Sequence, residues 1–95
     1  MTPCQKLIAE GRNAYIQAIL NAIEAYNPES APDFHLIIKA ITHTELSIKE
    51  MMIILNASHP TICRWGKGTF CPPKHSRKSI LLQLRPKLEA MLTPL

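Results

Sequence analysis

The stretch Ser47–Gly68, SIKEMMIILNASHPTICRWGKG, decides the fold. Ser47-Ile-Lys-Glu50 reads as a capping box, in which the Ser hydroxyl and the Glu carboxylate each satisfy the other residue's orphan amide at a helix start. The helix that follows runs to about Leu55, where Asn56 supplies a residue tolerant of the left-handed exit conformation. Ser58 caps a second helix through Trp65. Pro60 falls in its first turn, where a missing amide matters least. Gly66-Lys67-Gly68 closes it. Three residues, Asn56-Ala57-Ser58, separate the two helices, a length that forces a steep crossing and so predicts helix-turn-helix geometry. Met51, Met52, Leu55, Ala57, Ile62 and Trp65 supply the inner positions. The outer positions of the second helix, His59, Pro60, Thr61, Cys63 and Arg64, are small, polar or basic. That set suits a helix presented to a major groove.

Upstream, the spacing of Ile8, Tyr15, Ile16, Ile19, Ile23 and Tyr26 predicts a helix over residues 5–26, ended by Asn27-Pro28. Asp33 is the expected cap of the next helix, with Phe34, Ile37, Ile38 and Ile41 on one face. Residues 42–46 read as a turn. Downstream, Cys71-Pro72-Pro73 forces an extended loop. Ser76 is the expected start of a helix carrying Ile80, Leu81 and Leu84. Pro86 is expected to kink or break that helix, leaving Leu88, Met91 and Leu92 on a short last one. No segment alternates as a strand does. The expectation is an all-α protein of five to six helices, with residues 1–32 as an N-terminal helix and linker and residues 33–95 as the helix-turn-helix domain.

Ninety-five residues hold one core, and a composition 46% hydrophobic and 19% charged is that of a folding chain. The longest apolar run, Met51–Leu55, is far short of a membrane span. The first residues form no apolar signal region, so the cytoplasm is the expected address, and the nucleoid within it. Charge is uneven. Residues 1–33 carry two basic and four acidic side chains, whereas residues 34–95 carry nine and three. From Arg64 to Lys87 there are seven basic residues and no acidic one, which points to an anionic partner, nucleic acid before acidic protein or membrane. His59, Cys63, Cys71 and His75 are zinc-type ligands. They lack a Cys-x2-Cys knuckle, and the second helix gives His59 and Cys63 other work, so no metal is expected. No nucleophile–base spacing or Gly-rich phosphate loop is present, and neither an enzyme nor a cofactor is expected.

On these residues the chain resembles the Cro/repressor type of helix-turn-helix protein, whose domains read Ser-Gln-x-x-Leu-Ala-x-x-Leu-Gly-Val-Ser-x-x-Thr-Ile-Ser-x-Trp-x-x-Gly before a Pro and another helix. Ser47, Leu55, Ser58, Thr61, Ile62, Arg64, Trp65 and Gly68 match without a gap, and Pro72 or Pro73 stands near the trailing proline. The likeness covers about residues 33–92. Four features depart from it. Ile48 replaces a Gln that orients the recognition helix or touches phosphate. Met52 replaces a small Ala at the helix crossing. Asn56 replaces Gly. Ile53 and Ile54 stand where polar residues are usual, so the N-terminal helix or a second subunit is expected to cover them.

The resemblance implies a transcriptional regulator of a bacterium, phage or mobile element, binding double-stranded DNA as a homodimer. By that likeness His59, Pro60, Thr61, Cys63 and Arg64 meet base edges or nearby phosphates, with Arg64 bonding guanine. Ser47, Lys49, Lys67, Thr69, Lys74, Arg77 and Lys78 fit flanking phosphate contacts. Ile16, Ile19, Ile23 and Tyr26 form either part of the chain's own core or a seam for a dimer or another protein partner.

Overall fold

Thr2 opens the first helix with a capping box the sequence reading missed. Its hydroxyl accepts from the Gln5 amide at 3.2 Å, and the Gln5 side-chain oxygen accepts from the Thr2 amide at 2.9 Å. The computed structural model describes residues 2–94, and among them forms five helices: α1 (Pro3–Glu24), α2 (Ala31–Thr42), α3 (Ile48–Leu55), α4 (His59–Lys67) and α5 (Lys74–Ala90). The chain is all-α, as expected. Among the described residues no helix is long and apolar enough to cross a membrane.

Several boundaries differ from expectation. α2 begins three residues early, because Ser30 is its cap and accepts from the Asp33 amide at 3.3 Å. Pro32 fits the first turn, where no helical bond is lost, and Asp33 becomes a first-turn acid facing the positive end of the helix dipole. α5 begins at Lys74 with no side-chain cap, Ser76 lying inside its first turn. Pro86 does not divide it. Leu84 and Leu88, one turn apart across that proline, are both fully buried, so packing carries the helix through and there is no sixth.

The decisive stretch forms as its sequence predicts. Ser47 and Glu50 make both bonds of the capping box, at 3.1 and 3.3 Å. Asn56 adopts φ 51°, ψ 48°, the left-handed conformation. Ser58 caps α4, accepting from the Thr61 amide at 3.4 Å. Gly66 lies within α4, and Gly68 ends it at φ 79°. A side chain at Gly68 is disfavoured by that φ, and its Cβ would stand 3.6 Å from the His35 ring.

One core joins all five helices. Ile16 and Ile23 of α1, Phe34, Ile38 and Ile41 of α2, Met51 of α3, Ile62 of α4, and Leu81, Leu84 and Leu88 of α5 are essentially inaccessible. Trp65 stands edge-on to Phe34, with ring centroids 5.9 Å apart at 73°, a favoured aromatic arrangement. Tyr26, beyond the end of α1, packs on the other side of Phe34 and donates its hydroxyl to the Ser30 carbonyl at 2.9 Å. Burial pushes the Tyr26 phenol up from its ordinary value, partly offset by the nearby Arg77 guanidinium.

This arrangement settles the expected seam. Ile16, Ile19, Ile23 and Tyr26 are all at most 7% exposed within the single chain, so as folded they are not open to a second subunit or another protein. α1 packs on α2 and α5 rather than on α3. It therefore does not cover Ile53 and Ile54. Ile54 instead turns to the edge of the core, while Ile53 remains 75% exposed.

Candidate nucleic-acid interface

α4 is one-sided. Ile62 and Trp65 are buried, and Gly66 rests against α2, where a Cβ would stand 3.7 Å from Ile38 Cγ2. That distance is an ordinary van der Waals contact, so the two helices pack closely without demanding a glycine there. His59, Pro60, Arg64 and Lys67 are exposed, with Thr61 and Cys63 half-buried beside them. The helix is fixed at both ends. The Ser58 and Thr61 hydroxyls lie 2.7 Å apart at its start. At its end the Thr69 amide donates to the Arg64 carbonyl at 3.2 Å. His35 Nδ1 lies 2.6 Å from the Trp65 carbonyl. Because a carbonyl only accepts, that nitrogen carries the proton, and α2 thereby holds the C-terminal end of α4 in place.

Two shallow depressions flank the exposed crest. One is lined by Lys39 and Thr42 of α2, His43 just beyond its end, Ile48 of α3, and Ile62, Cys63, Gly66 and Lys67 of α4. His59 and Cys63 stand one turn apart at its edge, with Nδ1 and Sγ separated by 3.5 Å. The other depression is more polar. It joins Asn56, Ser58 and Thr61 to His75, Ser76, Ser79 and Gln83 of α5. The sequence reading passed over Lys39, His35, Ser79 and Gln83. All four reach this region from other helices, α2 and α5, and no local spacing marks them.

The basic run divides according to its partners. Arg77 and Lys78, expected at phosphates, both donate to backbone carbonyls within the chain. Arg77 donates to the carbonyls of Pro72 at 2.9 Å and Pro28 at 2.8 Å. Lys78 Nζ donates to the carbonyls of Ile23 and Glu24, the free end of α1, where a cation also complements the helix dipole. Lys74 lies 3.9 Å from Glu29, Arg85 pairs with Glu24 at 2.7 Å and Glu89 at 2.8 Å, and Lys87 lies 3.8 Å from Glu50. The Ser47 amide donates to the Glu50 carboxylate and its hydroxyl accepts from the Glu50 amide, which leaves the hydroxyl proton free to donate. Thr69 donates its hydroxyl to the Arg64 carbonyl at 3.4 Å. Among the described residues, the cations with neither an acidic nor a carbonyl partner are Lys6, Lys39, Lys49, Arg64 and Lys67. Lys6 stands on the first turns of α1. Lys39 and Lys67 line the groove beside α4, Arg64 is on its crest, and Lys49 follows the groove residue Ile48.

The reassignment of Lys78 makes a prediction. Lys78→Met keeps the aliphatic stem but removes the donor to two carbonyls, so it is expected to lower stability by about 1 kcal/mol. The salt dependence of any DNA binding should stay as it is. Denaturant melts and binding isotherms at several salt concentrations check both parts, and a reduced salt slope would return Lys78 to the interface.

Among the described residues no three His, Cys, Asp or Glu side chains converge in a way that would hold a metal ion. Comparison with protein-family models, with curated proteins and with solved structures gives no match.

Proposed function

We propose that the chain is a sequence-specific, double-stranded DNA-binding transcriptional regulator that lays α4 in the major groove. The observation that carries this reading is that Lys39 and Lys67 line the depression beside α4 with Arg64 exposed on the helix itself, while the other basic residues of the 64–87 run are engaged by carboxylates or by backbone carbonyls. A helix raised on a firmly capped pair, with base-sized polar groups on its crest and free ammonium groups beside it, matches the division between base reading and phosphate positioning. The resemblance of Ser47–Gly68 to the Cro/repressor helix-turn-helix supports the same reading.

In this account Arg64 donates two bonds to a guanine, and His59, Pro60, Thr61 and Cys63 lie along the adjoining base edges. Lys39, Lys49 and Lys67 meet phosphates. Ser79 and Gln83 of α5 stand at the second edge of the groove, beside the start of α4. One such helix reads few base pairs, so two copies on a two-fold site are the working form.

Titration of the isotopically labelled chain with a short generic duplex tests the placement. The amide signals of His59, of residues 61–67 and of Lys39 are expected to move, and those of α1 to hold still. Shifts centred on α1, with α4 unmoved, would overturn the reading.

A further inference from the structure

Burial of the isoleucine stripe leaves a different face of α1 open. Leu7 and Ile8 are each 70% exposed, Tyr15 43%, and Leu36 of α2, beside α1, 62%. An apolar groove runs between the two helices, lined by Ala18 and Ala22 on one side and Leu36, Ile37 and Ala40 on the other, with no charged residue in its walls. We propose that this face binds a second copy of the chain to form a two-fold dimer.

Three observations select that occupant. The chain carries a net charge of +4, so two copies repel each other, and they repel least across a groove whose walls hold no charged residue. A two-fold contact must also be self-complementary, with each knob and its hole on the same patch. Here the prominent Leu36 stands beside the small side chains of Ala18 and Ala22, so Leu36 of each copy has a groove on the other to enter. The extent is adequate as well. α1 is about 33 Å long, and with the edge of α2 it offers on the order of 600 Å² a side, close to the roughly 800 Å² per partner of a standard interface. The residues lining this groove and those lining the depression beside α4 are different sets, although α2 contributes to both. The purpose of the dimer, two α4 helices on one duplex, rests on the DNA reading above, but the contact itself does not.

Sedimentation velocity of the full chain without DNA tests the contact alone. The wild-type chain should sediment at twice its 10.7 kDa mass in the micromolar range. Ala18→Glu and Leu36→Glu should each sediment as monomers with the helical circular dichroism retained, and Ile53→Glu, on the exposed part of α3, should stay dimeric. A wild-type monomer at every concentration overturns the proposal, as does a dimer that dissociates on Ile53→Glu but survives both other changes. Should either α1–α2 variant unfold, the wild-type chain decides. The methyl signals of Leu7, Ile8 and Leu36 must then shift between dilute and concentrated samples, and constant signals overturn the proposal. None of these outcomes depends on DNA binding, so the failure of one reading is distinguishable from the failure of the other.

Discussion

Trp65→Ala is expected to lower the unfolding free energy by about 3–5 kcal/mol, a large part of the roughly 5–15 kcal/mol that holds a typical domain folded. Trp65 is 7% exposed, stands edge-on to Phe34, and joins α4 to the core that α2 shares with α1 and α5. On a chain of this size the loss corresponds to a fall of roughly 15–25 °C in Tm. Trp65→Phe should be far milder. The buried indole N–H finds no hydrogen-bond acceptor among the described residues, so removing it relieves an unsatisfied donor and offsets part of the lost contact area. Thermal melts of the two variants beside the wild type make the comparison. Equal losses would mean that the indole ring beyond its phenyl-sized portion carries the packing.

Arg64→Ala is expected to weaken binding to the specific DNA site by roughly 5- to 150-fold, the value of one bidentate contact to guanine. Its backbone carbonyl, which accepts from Thr69, is untouched by the change, and the side chain is exposed, so the fold should hold. Binding to unrelated duplexes should fall only slightly. The double change Lys39→Ala with Lys67→Ala should behave in the opposite way, weakening all duplexes alike and reducing the slope of log K against log salt by about 2. Anisotropy titrations with a specific and a scrambled duplex separate the two behaviours. If Arg64→Ala weakens both duplexes equally, Arg64 is a phosphate contact.

The parts of this molecule that were legible in the sequence are those set by local chemistry. The Ser47–Glu50 capping box, the left-handed Asn56, the Ser58 cap and the Gly68 exit each involve residues within a few positions of one another, and each forms as read. The Ser30 cap belongs to the same class of signal. It was displaced in the reading by Asp33, because Pro32 looked like part of a linker rather than the first turn of a helix. Pro86 shows where local chemistry yields, since the buried Leu84 and Leu88 outweigh its helix-breaking tendency.

The interface was legible only in part, for the same reason. A run of basic residues does not disclose its partners. Lys78 reaches back to the last carbonyls of α1, and Arg77 to Pro28, across roughly fifty positions of chain. Lys39 has no neighbour in sequence that marks it, and it joins the site only through the packing of α2 against α4. His35 had no sequence signal, and its bond to the Trp65 carbonyl exists only in the folded chain. The isoleucine stripe of α1 fitted a core or a seam equally well from its spacing, and α2 and α5 decided the matter by covering it.

The central claim is that α4 reads DNA sequence. Fluorescence anisotropy most directly tests it, comparing a duplex from upstream of the chain's own gene with a scrambled duplex of the same composition across several salt concentrations. The account predicts tight binding that prefers the upstream duplex and persists at moderate salt. Weak binding to both duplexes, lost steeply as salt rises, would contradict it and leave only the electrostatic attraction of a basic protein for a polyanion.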